Sequence, residues 1–250
     1  MKLKYFALYL LLVGCSTVYP PADFKYKSVN TDAFEFASWQ KITDKNANYK
    51  IYIEGDGFSF NAYGMPTTDP TPRSTLVRDL AFGDKNPNVI YLARACQFIK
   101  SKNCAQKYWT TARFSAQIAD AEAQAIKQIV GNKSVILIGF SGGAQIAALV
   151  AVRNPEISVS KIVTIAGNLD HSAWTAYHKV PPLEESLDLR DYYVAFKKIT
   201  QIHYVGDKDE IIPPFLTYNF VTDKSAIIKV EGATHNRGWD KIMPQIQAEK

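Results

Sequence analysis

The strongest constraint on this chain is a set of short, almost wholly apolar runs, each broken by glycine or charge and separated by stretches of another period. "YKIYIEG" (49–55), "NVIYLA" (88–93), "SVILIG" (134–139), "KIVTIAG" (161–167), "QIHYVGD" (201–207) and "AIIKVEG" (226–232) are of this kind. Strands apolar on both faces belong in a parallel sheet covered on both sides. The intervening segments are helical. In "SAQIADAEAQAIKQIVG" the residues Ala119, Ala123, Ile126 and Val130 recur at helical spacing, and Gly131 follows as a stop. A second helix is expected over 142–153, ended by "NPE", and a last one around "GWDKIMPQIQAEK". The class is therefore α/β, a mostly parallel central sheet with helices on both faces. The strands "FEFASWQKI" (34–42) and "YKIYIEG" flank the turn "DKNAN", which predicts an antiparallel hairpin leading into that sheet. A single domain over 33–250 is expected. Its longest strandless stretch, 168–200, is a candidate small cap.

The first residues have another character. "MKLK" is a charged start, "YFALYLLLV" is as long as the apolar core of a signal peptide, and "LVGC" resembles a lipobox. This implies a signal peptide over 1–14, lipidation of Cys15, a tether over 15–32, and an exported protein whose membrane partner is reached through the lipid. An outer-membrane address fits Ser16 after the cysteine. Of three cysteines, two then remain, and Cys96 and Cys104 are expected to pair across "CQFIKSKNC". Closing so small a loop stabilises by about 2.5 kcal/mol in the chain-entropy description. With no histidine or further cysteine beside the pair, no metal is expected. The apolar fraction of 47% and charged fraction of 21% describe a folded chain. The net charge of +5 includes Lys2 and Lys4 of the signal segment. No basic run interleaves with aromatics, so a nucleic-acid partner has no support.

Functional groups of a parallel sheet gather beyond the carboxyl ends of its strands. After 134–139 comes Ser141 within "GFSGG", a G-x-S-x-G between an apolar strand and a small-residue helix. After 201–205 come Asp207 and Asp209, and after 226–231 comes His235. After 51–53 comes "EGDG", whose glycines let backbone amides face a cavity. Serine, aspartate and histidine in this order can make a nucleophile, a base and the carboxylate that orients the base.

On these residues the chain resembles the α/β-hydrolase superfamily over nearly all of its length beyond the signal segment. "GFSGG" is similar to the nucleophile elbow, "GDKDEIIP" to the element that supplies the acid, and "GATH" to the one that supplies the histidine. More narrowly, "YLARACQ…C…YWTTARFS" and "AGNLDHSAWT" resemble a group of bacterial exported α/β-hydrolase lipoproteins. The resemblance implies Asp209 as the acid, with Asp207 as its rival. It implies an oxyanion hole from the amides of Gly142 and Asp56, with Gly57 as the alternative to Asp56. Glu54 stands where the family often has histidine. The function implied is a serine hydrolase without cofactor, a carboxylesterase acting on a small or surface-polymer ester through Ser141. A peptidase or amidase with the same triad and a non-catalytic binding lipoprotein are the alternatives. Among the remaining residues, His203 is expected in the core, and His171 and His178 at the surface or in substrate contact. Arg94, after strand 88–93, is a candidate to bind an anionic group at the site, with a structural ion pair as the favoured role. Trp109, Trp174 and Trp239 are candidates for an acyl pocket, with core packing as the competing role.

Overall fold

The protein is described by a computed structural model covering residues 18–249. The signal segment and Cys15 lie outside these residues. Eight strands form one sheet: β1 (Lys25–Asn30), β2 (Glu35–Ile42), β3 (Tyr49–Ile53), β4 (Asn88–Leu92), β5 (Val135–Phe140), β6 (Val159–Ile165), β7 (Gln201–Gly206) and β8 (Ile227–Val230). Their order is β1-β2-β4-β3-β5-β6-β7-β8. The six from β4 to β8 in that order run parallel, and β2 lies antiparallel between β1 and β4. The helices are α1 (Leu76–Gly83), α2 (Ala116–Val130), α3 (Gly142–Arg153), α4 (His171–His178), α5 (Tyr193–Phe196), α6 (Pro214–Phe220) and α7 (Met243–Ala248).

The expected class holds, but the antiparallel hairpin is made of different strands. β2 pairs with β1, Ser38 opposite Lys27, and not with β3. The "DKNAN" turn is bonded to the entry of β4 instead: Thr43 N–H donates to Pro87 O, and the Asn88 amide donates to Ala47 O. β3 is buried at every position and needs a partner on each side, whereas β1 buries only Val29 and suits an edge. For the same reason the expected tether is too long. Residues 25–30 are strand β1, although their weak apolar alternation gives little sign of it.

Successive residues of β3 feed opposite cores. Ile51 and Ile53 pack with α2 and α3, while Tyr52 packs on the side of α1 and α7. The chain leaves β3 through α1 towards β4, then returns through α2 to β5 on the other flank of β3. The carboxyl ends of β3 and β5 thus border the crevice where the winding reverses, the ligand-binding position of such sheets. Cys96 and Cys104 are joined in the expected disulfide, beyond the end of β4.

Two sequence details fix this region. Gly143, in the first turn of α3, sits against the end of β3: a Cβ there would lie 2.5 Å from both Ile53 O and Glu54 O. In α2, Glu122 is fully buried with its Oε2 3.5 Å from Arg94 Nε. Burial pushes its carboxyl up to about 8, against the pull of Arg94.

Gly143→Ala is expected to force α3 away from β3 and to cost about 2 kcal/mol, read as a Tm lower by about 5 °C. Glu122 keeps its proton in the folded chain to about pH 8 but releases it near 4.5 when unfolded. Its contribution therefore declines as pH rises through that window. Glu122→Gln should accordingly match the parent in urea unfolding at pH 5 and exceed it at pH 8.5. A deficit at pH 8.5 would show that the ionised carboxylate stabilises the fold.

Candidate active site

β5 runs fully buried to Phe140, and the chain then turns sharply at Ser141, with φ 50° and ψ −121°, before α3 begins at Gly142. A positive φ is unfavourable for a residue with a Cβ. It is held by backbone bonds on both sides: Ser141 N–H donates to Ile165 O, and Ser141 O accepts from Ala144 and Asn168. The hydroxyl is thereby lifted out of the sheet into a cleft of about 520 Å³. Phe58, Phe60, Arg113, Trp174 and His235 line the cleft with Ser141.

Across the cleft mouth, His235 Nε2 lies 3.1 Å from Ser141 Oγ, and its Nδ1 lies 2.9 Å from Asp209 Oδ2. An ionised carboxylate only accepts, so Nδ1 carries the proton and Nε2 is free to accept from the serine hydroxyl. Asp209 is buried, and its Oδ1 accepts from the amides of Ile211 at 2.9 Å and Ile212 at 2.8 Å. The His235 backbone is held by a Thr234–Arg237 bridge and by Trp239, whose indole donates to His235 O. Asp207 faces elsewhere and accepts from Gly232 N–H at 2.7 Å, which secures the turn after β8. Geometry therefore joins Ser141, His235 and Asp209, and leaves Asp207 out.

The Glu54–Gly57 loop lies directly on the elbow. Neither Asp56 nor Gly142 donates its backbone N–H to another group among the described residues. The Asp56 side chain turns under the elbow, so close to Gly142 that a Cβ there would meet Oδ1 at 2.0 Å. Its charge is balanced by Arg113 Nη1 at 3.1 Å and Arg94 Nη1 at 3.5 Å. Glu54 accepts from Tyr91 OH at 2.7 Å and Gly55 N–H at 2.9 Å. Burial pushes its carboxyl up to about 7, opposed by those two bonds. In the place of a histidine, Glu54 thus braces the loop from behind. The loop is also held by Gln97, whose amide donates to Gly55 O and whose Oε1 accepts from Arg94 N–H.

The other singled-out residues divide. His203 is buried in β7 between Thr164 and Gln201, and burial lowers it to about 4. His171 is not at the surface but buried and stacked on Phe114, because α4 packs inward at that residue. His178 bonds to Ile211 O. Arg94 is the structural ion-pair residue, between Asp56 and Glu122. Trp174 lines the cleft, whereas Trp109 and Trp239 are buried away from it. The segment 168–200 reaches the cleft only through Asn168 and Trp174; much of the remaining wall is 54–60 and 72–74. Arg113 was not marked by the sequence: it lies in "YWTTARFS", outside every motif of the elbow or triad.

No protein-family model matches the chain, and no curated protein matches it. Solved structures do. A predicted CIB-like hydrolase from Thermoplasma acidophilum superposes with a TM-score of 0.60 at 15% identity, over 90% of this chain and 99% of that one. Est1E from Butyrivibrio proteoclasticus, solved with ferulic acid bound, gives 0.63 at 10% identity, over 88% and 96%. A membrane phospholipase A, described as a bacterial virulence factor, gives 0.60 at 16% identity, over 91% and 86%. With its sheet order, its elbow after β5 and these likenesses, the chain has the fold of the α/β-hydrolase superfamily.

Proposed function

We propose that the protein is a serine hydrolase that cleaves carboxylic esters through an acyl-enzyme on Ser141. The observation that carries this is the continuous hydrogen-bonded line from Ser141 Oγ through His235 to the buried Asp209. As the Ser141 oxygen attacks the ester carbonyl, its proton passes to His235 Nε2. The imidazolium so formed lies against Asp209, whose position is fixed by the Ile211 and Ile212 amides. The carbonyl oxygen, now an anion, is received by the amides of Gly142 and Asp56. His235 then returns the proton to the leaving alcohol. Water attacks the acyl-serine by the same route and releases the acid.

The ester class draws support from the compared proteins, one a phospholipase A and another solved with ferulic acid. Anchoring to a membrane through Cys15 rests on the sequence alone. Among the described residues no helix is long and apolar enough to cross a membrane.

A fluorophosphonate probe should label the purified protein and fail to label Ser141→Ala; equal labelling of both would remove Ser141 from the reaction. With a para-nitrophenyl ester, Asp209→Asn should lower kcat by about three to four orders of magnitude through loss of the correct imidazole tautomer. Asp207→Asn should leave kcat within about an order of magnitude of the parent. The opposite ranking would transfer the acid role to Asp207.

A further inference from the structure

Arg113 is an unusual residue to find in the wall of this cleft. It is 4% exposed, yet its Nε has no hydrogen-bond partner among the described residues. Arg94 Nε and Nη1, Asp56 Oδ1 and both Glu122 oxygens beneath it share that lack, but of these cations Arg113 alone lines the cleft, together with Arg73. Buried polar groups are nearly always satisfied, so an exception calls for a cause. Its one ionic partner, Asp56, is shared with Arg94. The third charge of the group, Glu122, is pushed towards its neutral form by burial. Two guanidiniums thus stand over one committed carboxylate, and the surplus positive charge borders the cleft at Arg113. Glu54, which also lines the cleft, offsets this charge only in part, because burial pushes its carboxyl up to about 7 and its two oxygens face Tyr91 and Gly55.

A second cation stands at the mouth. Arg73 lies flat on Phe58, 3.4 Å from the ring centroid, and makes no ion pair or hydrogen bond among the described residues. Stacking fixes the plane of the guanidinium and leaves its edge to bind. Around Arg113, the rings of Phe60, Phe114 and Trp174 lie 5.5 to 5.9 Å away. They keep water off the charge, so an anion arriving there meets an attraction little weakened by solvent.

We propose that the substrate carries an anionic group, a carboxylate or a phosphate, which Arg113 binds inside the cleft and Arg73 guides at the mouth while the ester faces Ser141. The position of the ester rests on the hydrolase reading above; the anion site does not.

Binding is therefore measured by calorimetry on the full chain carrying Ser141→Ala, with ester pairs that differ in charge. Monoethyl glutarate against ethyl valerate tests an anion on the acyl side. Para-acetoxybenzoate and para-acetoxyphenyl phosphate, each against para-methylphenyl acetate, test a carboxylate and a phosphate on the leaving side. At least one anionic member should bind ten-fold or more tighter than its neutral counterpart, and less so as salt rises. That ratio should fall towards one in Arg113→Gln, be partly kept in Arg113→Lys, and drop a few-fold in Arg73→Gln. Should Arg113→Gln fail to fold, the exposed Arg73→Gln and the salt dependence decide. Equal or weaker binding of the anionic member in all three pairs would overturn the proposal, as would a ratio unmoved by the substitutions. Fluorophosphonate labelling of the parent separates the two readings. Labelling without anion preference sinks the anion site alone, and anion preference without labelling sinks the nucleophile alone.

Discussion

The near contact between the first turn of α3 and the carboxyl end of β3 governs the rest of the molecule. Because Gly143 has no side chain, the helix can press on the carbonyls of Ile53 and Glu54. That contact sets the helix start, and hence Ser141, beside the loop that follows β3. Residues far apart in sequence, Asp56 and Gly142, come close together as a result. The crossovers through α1 and α2 leave a crevice at this point, because one helix lies on each face of the sheet. Topology supplies the opening, and one missing methyl group lets the parts close around it.

Charge organises the layer beneath. Asp56, Arg94, Arg113 and Glu122 come from a loop, a strand end, a turn and a helix, and meet under the elbow. Ion pairs this deep gain little net stability, since desolvation offsets much of the attraction. Their effect here is geometric. Asp56 cannot turn away without leaving two buried guanidiniums, so the backbone that carries its amide is held as well. Gln97 holds the same loop from a third direction, one residue from the disulfide.

Much of this was legible in the sequence, for definite reasons. β5, α3 and α2 declare themselves because burial on both faces, or on one helical stripe, demands uninterrupted apolar patterns. Ser141 and His235 were legible because each follows a readable strand, whereas strand position left Asp207 and Asp209 open and only the likeness of "GDKDEIIP" to the acid-bearing element favoured Asp209. β1 was not, since an exposed edge strand needs few apolar residues and only Val29 is buried. The short turn between β2 and β3 signals proximity along the chain and not pairing, because β4 inserts between them by a long-range choice. Arg113 escaped notice for a related reason. Its importance lies in what it lacks, a full set of partners, and a missing partner leaves no trace in a sequence.

The dihedral angle at Ser141 has a wider consequence. A residue with a Cβ held at φ 50° costs roughly 1–3 kcal/mol, a sizeable share of the margin by which a domain of this kind stays folded. The same angle raises the hydroxyl above the sheet. At this one bond, thermal endurance and chemical readiness pull in opposite directions, and the surrounding bonds to Ile165, Ala144 and Asn168 keep the chain on the side of readiness.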